Sequence, residues 1–88
     1  MPTVVVTHKV GDFDTWMAGH QDRVEVFGPA ITGFRTFRHS EDPNAVVLVL
    51  DVTDMDKLGE IMTDATTQTL KDKHTVLDPV SVHVEVDT

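Results

Sequence analysis

The sequence has no cysteine among its 88 residues. Without cysteine there is no disulfide framework, no Cys-based zinc or iron–sulfur site and no thiol nucleophile. Basic residues are also scarce, because 7 Lys+Arg stand against 15 Asp+Glu and give a net charge of −8. This balance argues against nucleic acid and against anionic membrane surfaces as partners, since both are bound mainly through Lys and Arg.

Long hydrophobic runs are absent as well. No apolar stretch approaches the roughly 20 residues of a membrane span, and no basic-then-apolar signal opens the chain. We therefore expect a cytoplasmic protein with one domain, residues 1–88. A chain of this length buries only about 60–65% of its unfolded surface, so its core is marginal and self-association is a common remedy.

Valine is clustered rather than spread, and the clusters predict strands. Residues 3–10, 45–53 and 80–86 are short, rich in β-branched side chains and bounded by turn or charge signals. Residues 33–39 predict a further strand, with aromatic side chains on alternating faces. An Asp-Pro-Asn turn joins this strand to the one that begins at residue 45, so the two are expected to form a hairpin.

Two helices are expected between the strands. The first carries a stripe at three- and four-residue steps: Phe13, Trp16, Met17, His20, Val24 and Phe27. Asp12 or Asp14 would cap its start, and Gly28-Pro29 would end it. The second helix follows Thr53 or Asp54 and buries Met55, Leu58, Ile61 and Met62. A Thr-rich passage predicts a break within residues 64–67, with a short helical turn resuming at Leu70.

The order βαββαβ predicts a ferredoxin-like α+β fold, a four-stranded antiparallel sheet with two helices on one face. Alternation along the strands places Val4, Val6 and His8 against the helices. The opposite sheet face, with residues such as Val47 and Val49, is half apolar, which is more than a solvated face needs. We therefore expect a homodimer in which a second copy covers this open sheet face.

Four segments resemble a known superfamily. They are the opening Val-Thr-His-Lys-Val-Gly-Asp-Phe-Asp-Thr-Trp, His20 four residues later, the run Gly-Phe-Arg-Thr-Phe-Arg from residue 33, and the Asp-Pro-Asn turn. With the element order, they resemble the dimeric α/β-barrel proteins, and in particular small proteins related to the antibiotic biosynthesis monooxygenases. The resemblance implies a dimeric α/β barrel with a pocket in each subunit. It also implies cofactor-free oxygenase chemistry, or cyclase/isomerase chemistry, on an aromatic or polyketide-like substrate. No haem-binding set can be matched to this sequence.

His8 and His20 are the candidate catalytic residues. If the strand face and the helix stripe meet, both imidazoles point into one partly apolar space that Trp16 walls. An imidazole titrates near neutral pH and can act as a general base on an aromatic ligand held there. The alternative interpretation is that His8 bonds a backbone carbonyl and that Trp16 is merely core.

Candidate substrate-binding residues surround this predicted space. They are Trp16, Met17, Phe27, Ile61, Met62 and Arg35. Methionines adapt to irregular ligands, and an arginine can bind a carboxylate or phenolate. Arg35 and Arg38 could instead pair with acids of the hairpin. His83 falls on the opposite sheet face from His8, and no zinc-type spacing is present, so no metal site is expected.

Two classes of function stay open on the sequence. The first is a small-molecule enzyme that works without a cofactor in a pocket between sheet and helices. The second is a non-catalytic ligand-binding or accessory dimer of the same fold. It stays open because similarity of fold predicts a pocket but does not predict a reaction.

Overall fold

The computed structural model describes residues 2–86; Met1, Asp87 and Thr88 of the predicted domain lie outside the described residues. The strands are β1 (Thr3–Val10), β2 (Ile31–Arg38), β3 (Ala45–Val52) and β4 (Val76–Val84). The helices are α1 (Phe13–Ala18), α2 (His20–Phe27), α3 (Met55–Thr63) and α4 (Ala65–Lys73), with a 3₁₀ turn at Gly28–Ala30 after α2. No helix in this part of the chain has the length and apolar character needed to cross a membrane.

The strands form one antiparallel sheet in the order β2-β3-β1-β4, which confirms the ferredoxin-like α+β prediction. On β1 and β3 every second side chain is buried against the helices, because successive side chains of a strand point to opposite faces. The predicted faces of these two strands are therefore confirmed. Their buried residues build the core, in which Val4 pairs across the ladder with Leu50 and Val6 with Leu48.

The first predicted helix is two helices, and the expectation of one continuous stripe is wrong. Asp12 caps α1 by accepting from the backbone N–H of Asp14. The helix ends at Gly19, whose N–H donates to the carbonyl oxygen of Trp16 (3.1 Å). A Cβ on Gly19 would overlap the imidazole of His74. A glycine at this bend therefore leaves the space that the His74 ring occupies.

The second predicted helix is broken at Asp64, within the predicted 64–67 interval. Asp64 ends α3, where its N–H donates to the carbonyl oxygen of Ile61, and its side chain accepts from the N–H of Thr66 to start α4. The expectation of only a short turn at Leu70 is wrong, because α4 runs for 9 residues from Ala65. The cap at Asp64 offsets the low helix propensity of the threonines.

β4 begins at Val76, four positions earlier than predicted. Its ladder with β1 shifts register between Thr7 and Lys9. Val82 and Val84 pair with Val6 and Val4 and so share the predicted face, yet they are 43% and 48% exposed. They stay exposed because β4 is an edge strand and the helices do not extend over its second half.

Candidate functional site

A cavity of about 110 Å³ lies between the sheet and the helices α2 and α4. Most of its wall is apolar and comes from Val6, Leu48, Val26, Phe27, Met62, Leu70 and Val76. Its polar side chains are His8, Arg23, Thr67, Gln68, Lys71 and His74. An apolar cavity with a few converging polar groups is the usual form of a small-molecule site.

His8 reaches the cavity from β1 with a defined tautomer. Its Nδ1 donates to the backbone carbonyl oxygen of Lys9 (3.0 Å), so Nδ1 carries the proton and Nε2 is left as an acceptor. Burial lowers the pKa of His8 below its usual 6.5, against the opposing effect of the hydrogen bond to Lys9, and the positive charges of Arg23 and Lys71 lower it further. His8 is therefore neutral at pH 7, and its Nε2 lone pair is free to accept a proton.

Trp16 does not line the cavity, so the prediction that it walls the substrate space is wrong; it lies behind His8 and is fully buried. The indole meets the His8 ring edge-on with centroids 5.8 Å apart, and the Arg23 guanidinium carbon lies 4.2 Å from the indole centroid. Rings in edge-to-face contact and a cation over an aromatic face both attract each other. Trp16 thus fixes the orientation of His8 and Arg23 together.

Arg23 projects from α2 and is only 7% exposed. Its Nη1 donates to Nδ1 of His74 (3.3 Å), whereas Nε and Nη2 have no hydrogen-bond partner among residues 2–86. Burial lowers the pKa of Arg23 to about 10, against the opposing effect of the neighbouring Asp22 carboxylate. Arg23 therefore keeps its positive charge at pH 7, and in the described part of the chain two of its three nitrogens have no partner.

His74 follows α4 and closes the polar side of the cavity. Because its Nδ1 accepts from Arg23, the neutral ring carries its proton on Nε2, which lies 3.6 Å from Oδ2 of Asp22. Burial lowers the pKa of His74, and the charge of Arg23 lowers it further. The result is a chain of groups, Asp22–His74–Arg23, that anchors the guanidinium.

The structure separates the two predicted catalytic histidines. His8 lines the cavity, but the His20 ring packs against Phe34 of β2, with centroids 5.5 Å apart. Its buried Nδ1 has no hydrogen-bond partner within residues 2–86. The expectation that both imidazoles share one space is wrong. His20 lies at the start of α2, directly after the bend at Gly19, and there its ring contacts Phe34 of β2 and not the cavity.

The predicted substrate-binding residues are also divided. Phe27 and Met62 line the cavity, whereas Met17 is exposed on α1 and Ile61 is buried elsewhere in the core. Arg35 faces the open side of the sheet opposite Val49, since strand alternation turns it away from the helices.

The expected pairing of the hairpin arginines with local acids does not occur at Arg38. Its Nε donates to the carbonyl oxygen of Pro43 (2.9 Å), and its guanidinium lies over the Phe13 ring. Asp42 pairs instead with Lys9 (3.3 Å).

Sequence reasoning missed Arg23, His74, Thr67 and Lys71 as cavity residues. Arg23 carried a signal, because it lies four positions before Phe27 and therefore on the same face of α2. His74 carried none, since its position depends on the contact with Gly19. Across residues 2–86, no three His, Cys, Asp or Glu side chains meet in an arrangement that could hold a metal ion.

Solved structures share this fold along nearly their whole length. An antibiotic biosynthesis monooxygenase matches at a TM-score of 0.76 with 15% identity, covering 100% of this chain and 99% of the other. A provisionally named antibiotic biosynthesis monooxygenase from Bordetella bronchiseptica matches at 0.78 with 21% identity, covering 99% and 96%. SnoaB from Streptomyces nogalater, a cofactor-independent oxygenase, matches at 0.77 with 13% identity, covering 99% and 92%.

These likenesses show that the chain has the fold of the antibiotic biosynthesis monooxygenase-like proteins. The resemblance inferred from the sequence is confirmed at that level. No family model matches the sequence, and no curated protein matches it either.

Proposed function

We propose that the chain is a small-molecule enzyme of the antibiotic biosynthesis monooxygenase-like type, acting without a cofactor in the cavity beside His8. The observation that carries this proposal is the fixed tautomer of His8, which presents an unprotonated Nε2 to an apolar cavity. A neutral imidazole with an unprotonated ring nitrogen can act as the general base on a C–H group that an adjacent carbonyl group makes acidic. The fold likeness to SnoaB, described as a cofactor-independent oxygenase, supports the same class of chemistry.

The reaction begins when Nε2 of His8 takes a proton from carbon and leaves the electron pair on the substrate as an enolate. In an isomerase or cyclase, the pair forms a new C–H or C–C bond elsewhere in the substrate, and His8 returns the proton. In an oxygenase, the pair reduces dioxygen and a C–O bond forms to give a hydroperoxide. Loss of water then leaves a carbonyl group, so a CH₂ becomes C=O and the second oxygen atom leaves as water.

The cavity limits the size of the proposed substrate. An apolar cavity of roughly 150 Å³ accommodates benzene, and the cavity here measures about 110 Å³. A fused polycyclic substrate exceeds this volume, whereas a single small ring fits once a flexible wall residue such as Met62 adjusts. We therefore propose a monocyclic substrate.

Exchange of α-protons with solvent tests the proposal directly. Cyclohexanone and 3-cyclohexen-1-one are incubated in D₂O with the protein, and proton loss and double-bond migration are followed by NMR. We expect catalysed exchange with the native chain and a loss of about 100-fold or more in His8→Asn. His83→Asn, whose residue is exposed on the open sheet face, is the matched control. Equal exchange in the native chain and His8→Asn would favour the non-catalytic ligand-binding alternative.

We also propose that two chains associate through the open sheet face. Phe37 and Leu77 are 47% and 48% exposed there, beside the partly exposed Val5, Val47 and Val49. Exposed apolar side chains concentrated on one sheet face are typical of an association site. A second copy of the same sheet would cover it and extend the marginal core of a short chain.

A further inference from the structure

Two apolar side chains separate the cavity from solvent on one side. Val26 of α2 and Leu70 of α4 line the cavity and are both partly exposed. The same two side chains line a second hollow of about 350 Å³, which lies between α2 and α4 on the outer surface. Within the described residues 2–86, no other side chain lines both spaces. Val26 and Leu70 therefore form the wall between the inner cavity and the outer hollow.

Polar contacts hold α4 on its other two sides. On the side of α3, Nε2 of Gln68 donates to the carbonyl oxygen of Met62 (2.9 Å). On the side of β4, Nζ of Lys71 lies 3.3 Å from Oδ1 of Asp78. An opening on either of these sides must break one of the two contacts, whereas rotation of the Leu70 side chain breaks neither. The side that faces α2 is therefore the one that opens most easily.

The outer hollow carries negative charge. Its polar side chains are Asp22 and Glu25, and no Lys or Arg lines it in the described part of the chain. Asp22 lies beside His74, whereas Glu25 has no ion-pair partner among residues 2–86. Negative charge at an entrance lowers the local concentration of anions and leaves that of uncharged molecules unchanged. An uncharged ligand therefore approaches this entrance more readily than a carboxylate does.

Within the described range, the cavity behind the hollow offers no unpaired charge that an anion could reach. Nε and Nη2 of Arg23 are covered by protein atoms, and Asp22 lies close enough to act on its charge. Lys71 is paired with Asp78. His8 is neutral at pH 7, because burial lowers its pKa. A carboxylate in the cavity would lose its hydration without gaining an ionic partner, which is unfavourable.

We propose that ligands reach the cavity between α2 and α4, past Val26 and Leu70, and that this entrance selects a small ring without charge. The inference rests on the proposed function for the location of the site, and it adds the entry route and the charge class of the substrate. Leu70 is the side chain that moves, because a valine within a helix has one strongly preferred rotamer. Glu25 is the residue that discriminates against anions.

Entry of fluorobenzene tests the route. This single uncharged ring has no acidic C–H group for His8 to deprotonate, so its binding is independent of catalysis. Fluorine NMR exchange measures its rates of entry and exit. We expect Val26→Ala to raise both rates by about 5-fold or more, because a smaller obstacle opens the route more often. Leu70→Ala is a second variant of the same wall and should raise them as well.

Val76→Ala is the matched control. It removes the same two methyl groups from another partly exposed cavity residue, which does not line the outer hollow. It should change the rate of entry by less than about 2-fold, because the route stays the same. Thermal unfolding checks that the variants fold. The route is wrong if Val76→Ala accelerates entry as much as Val26→Ala, if neither variant of the wall accelerates it, or if fluorobenzene does not bind.

The compounds 4-fluorobenzamide and 4-fluorobenzoate test the charge class. They differ little in shape, and only the benzoate is an anion at pH 7. We expect the benzamide to enter about 10-fold faster at low salt, the lower end of the usual effect of charge on association rates. Glu25→Gln should reduce this ratio by about 2-fold or more, since one repelling charge is removed.

Asp56→Asn is the control for the charge, because it changes an exposed acid of α3 that does not line the hollow. It should leave the ratio of the two entry rates unchanged. Equal entry rates of the two compounds, no entry of the benzamide, or a ratio that Glu25→Gln does not change would overturn the assignment of an uncharged substrate.

The results separate this inference from the proposed function. Faster fluorobenzene entry in Val26→Ala, together with proton exchange that does not depend on His8, supports the entrance and overturns the enzyme. His8-dependent exchange on cyclohexanone, together with equal fluorobenzene entry in all variants, supports the enzyme and overturns the entrance.

Discussion

The imidazole of His74 lies against the backbone of Gly19, in space that any Cβ would occupy. This contact joins the end of α4 to the break between α1 and α2. It positions the ring nitrogen that accepts from Arg23 (3.3 Å), so one glycine supports the arrangement of the polar side of the cavity.

Gly19→Ala should destabilise the protein by about 1–3 kcal/mol, the usual cost of forcing extra volume into a packed site. The matched control is Gly59→Ala, because a Cβ at this exposed position of α3 meets nothing within 4 Å. That control should stabilise the helix by about 0.5–1 kcal/mol. Urea unfolding measures both changes. A Gly19→Ala variant as stable as the native chain would contradict the packing described for His74.

Acid should destabilise the folded state from about pH 6.5 downward. Burial lowers the pKa of His8 and of His74 in the folded protein, with Arg23 acting on both rings, Lys71 on His8 and Lys73 on His74. The Asp22 carboxylate opposes the shift at His74. The unfolded chain therefore binds more protons below the ordinary histidine pKa of 6.5, and the free energy of unfolding falls as the pH falls.

Urea unfolding between pH 8 and pH 5.5 measures this slope. The double variant His8→Asn/His74→Asn should flatten it even if its overall stability is lower, because the two shifted groups are gone. An unchanged slope in the double variant would show that these histidines stay accessible to protons in the folded state.

Asp64→Ala should destabilise the protein, because it removes the side-chain cap at the start of α4. The Asp64 side chain accepts from the N–H of Thr66 at 2.8 Å, and loss of such a cap costs about 0.5–2 kcal/mol. Asp72→Ala, at an exposed position of α4, is the control and should change stability by less than about 0.5 kcal/mol. If the two variants are equally stable, the cap at Asp64 does not contribute to the stability of the protein.

Phe37→Glu should dissociate the proposed dimer. A charge on the open sheet face cannot be buried without a partner, so the mass by light scattering should fall from twice 9.8 kDa to 9.8 kDa. Met17→Glu changes a residue of similar exposure on α1 and should leave the dimer intact. A native chain that is monomeric at micromolar concentration would contradict the association.

The fold could be predicted from the sequence because the residue patterns that indicate its strands and helices are local. Alternation of valines along β1 and β3 places one face inward whatever the rest of the chain does. The same rule predicted that Phe34 and Phe37 lie on opposite faces, and the structure places Phe34 on the helix side and Phe37 on the open face. The break near Asp64 was also local, since a capping aspartate and the threonines after it lie in one short segment.

Only some residues of the candidate site could be predicted from the sequence. His8, Phe27 and Met62 were correctly placed beside a cavity, because their faces follow from strand and helix periodicity. His20 was assigned to the same space on the assumption of one continuous helix, and the bend at Gly19 removes that assumption.

The sequence by itself determined the order of the elements, the inward faces of two central strands, the absence of thiol chemistry and the acidic balance. Only the tertiary structure decided which polar groups meet. Arg23 and His74 are 51 positions apart, and no periodicity links residues on separate elements. Their contact exists because the chain bends at Gly19 and returns through α4, which brings the His74 ring against the guanidinium of Arg23.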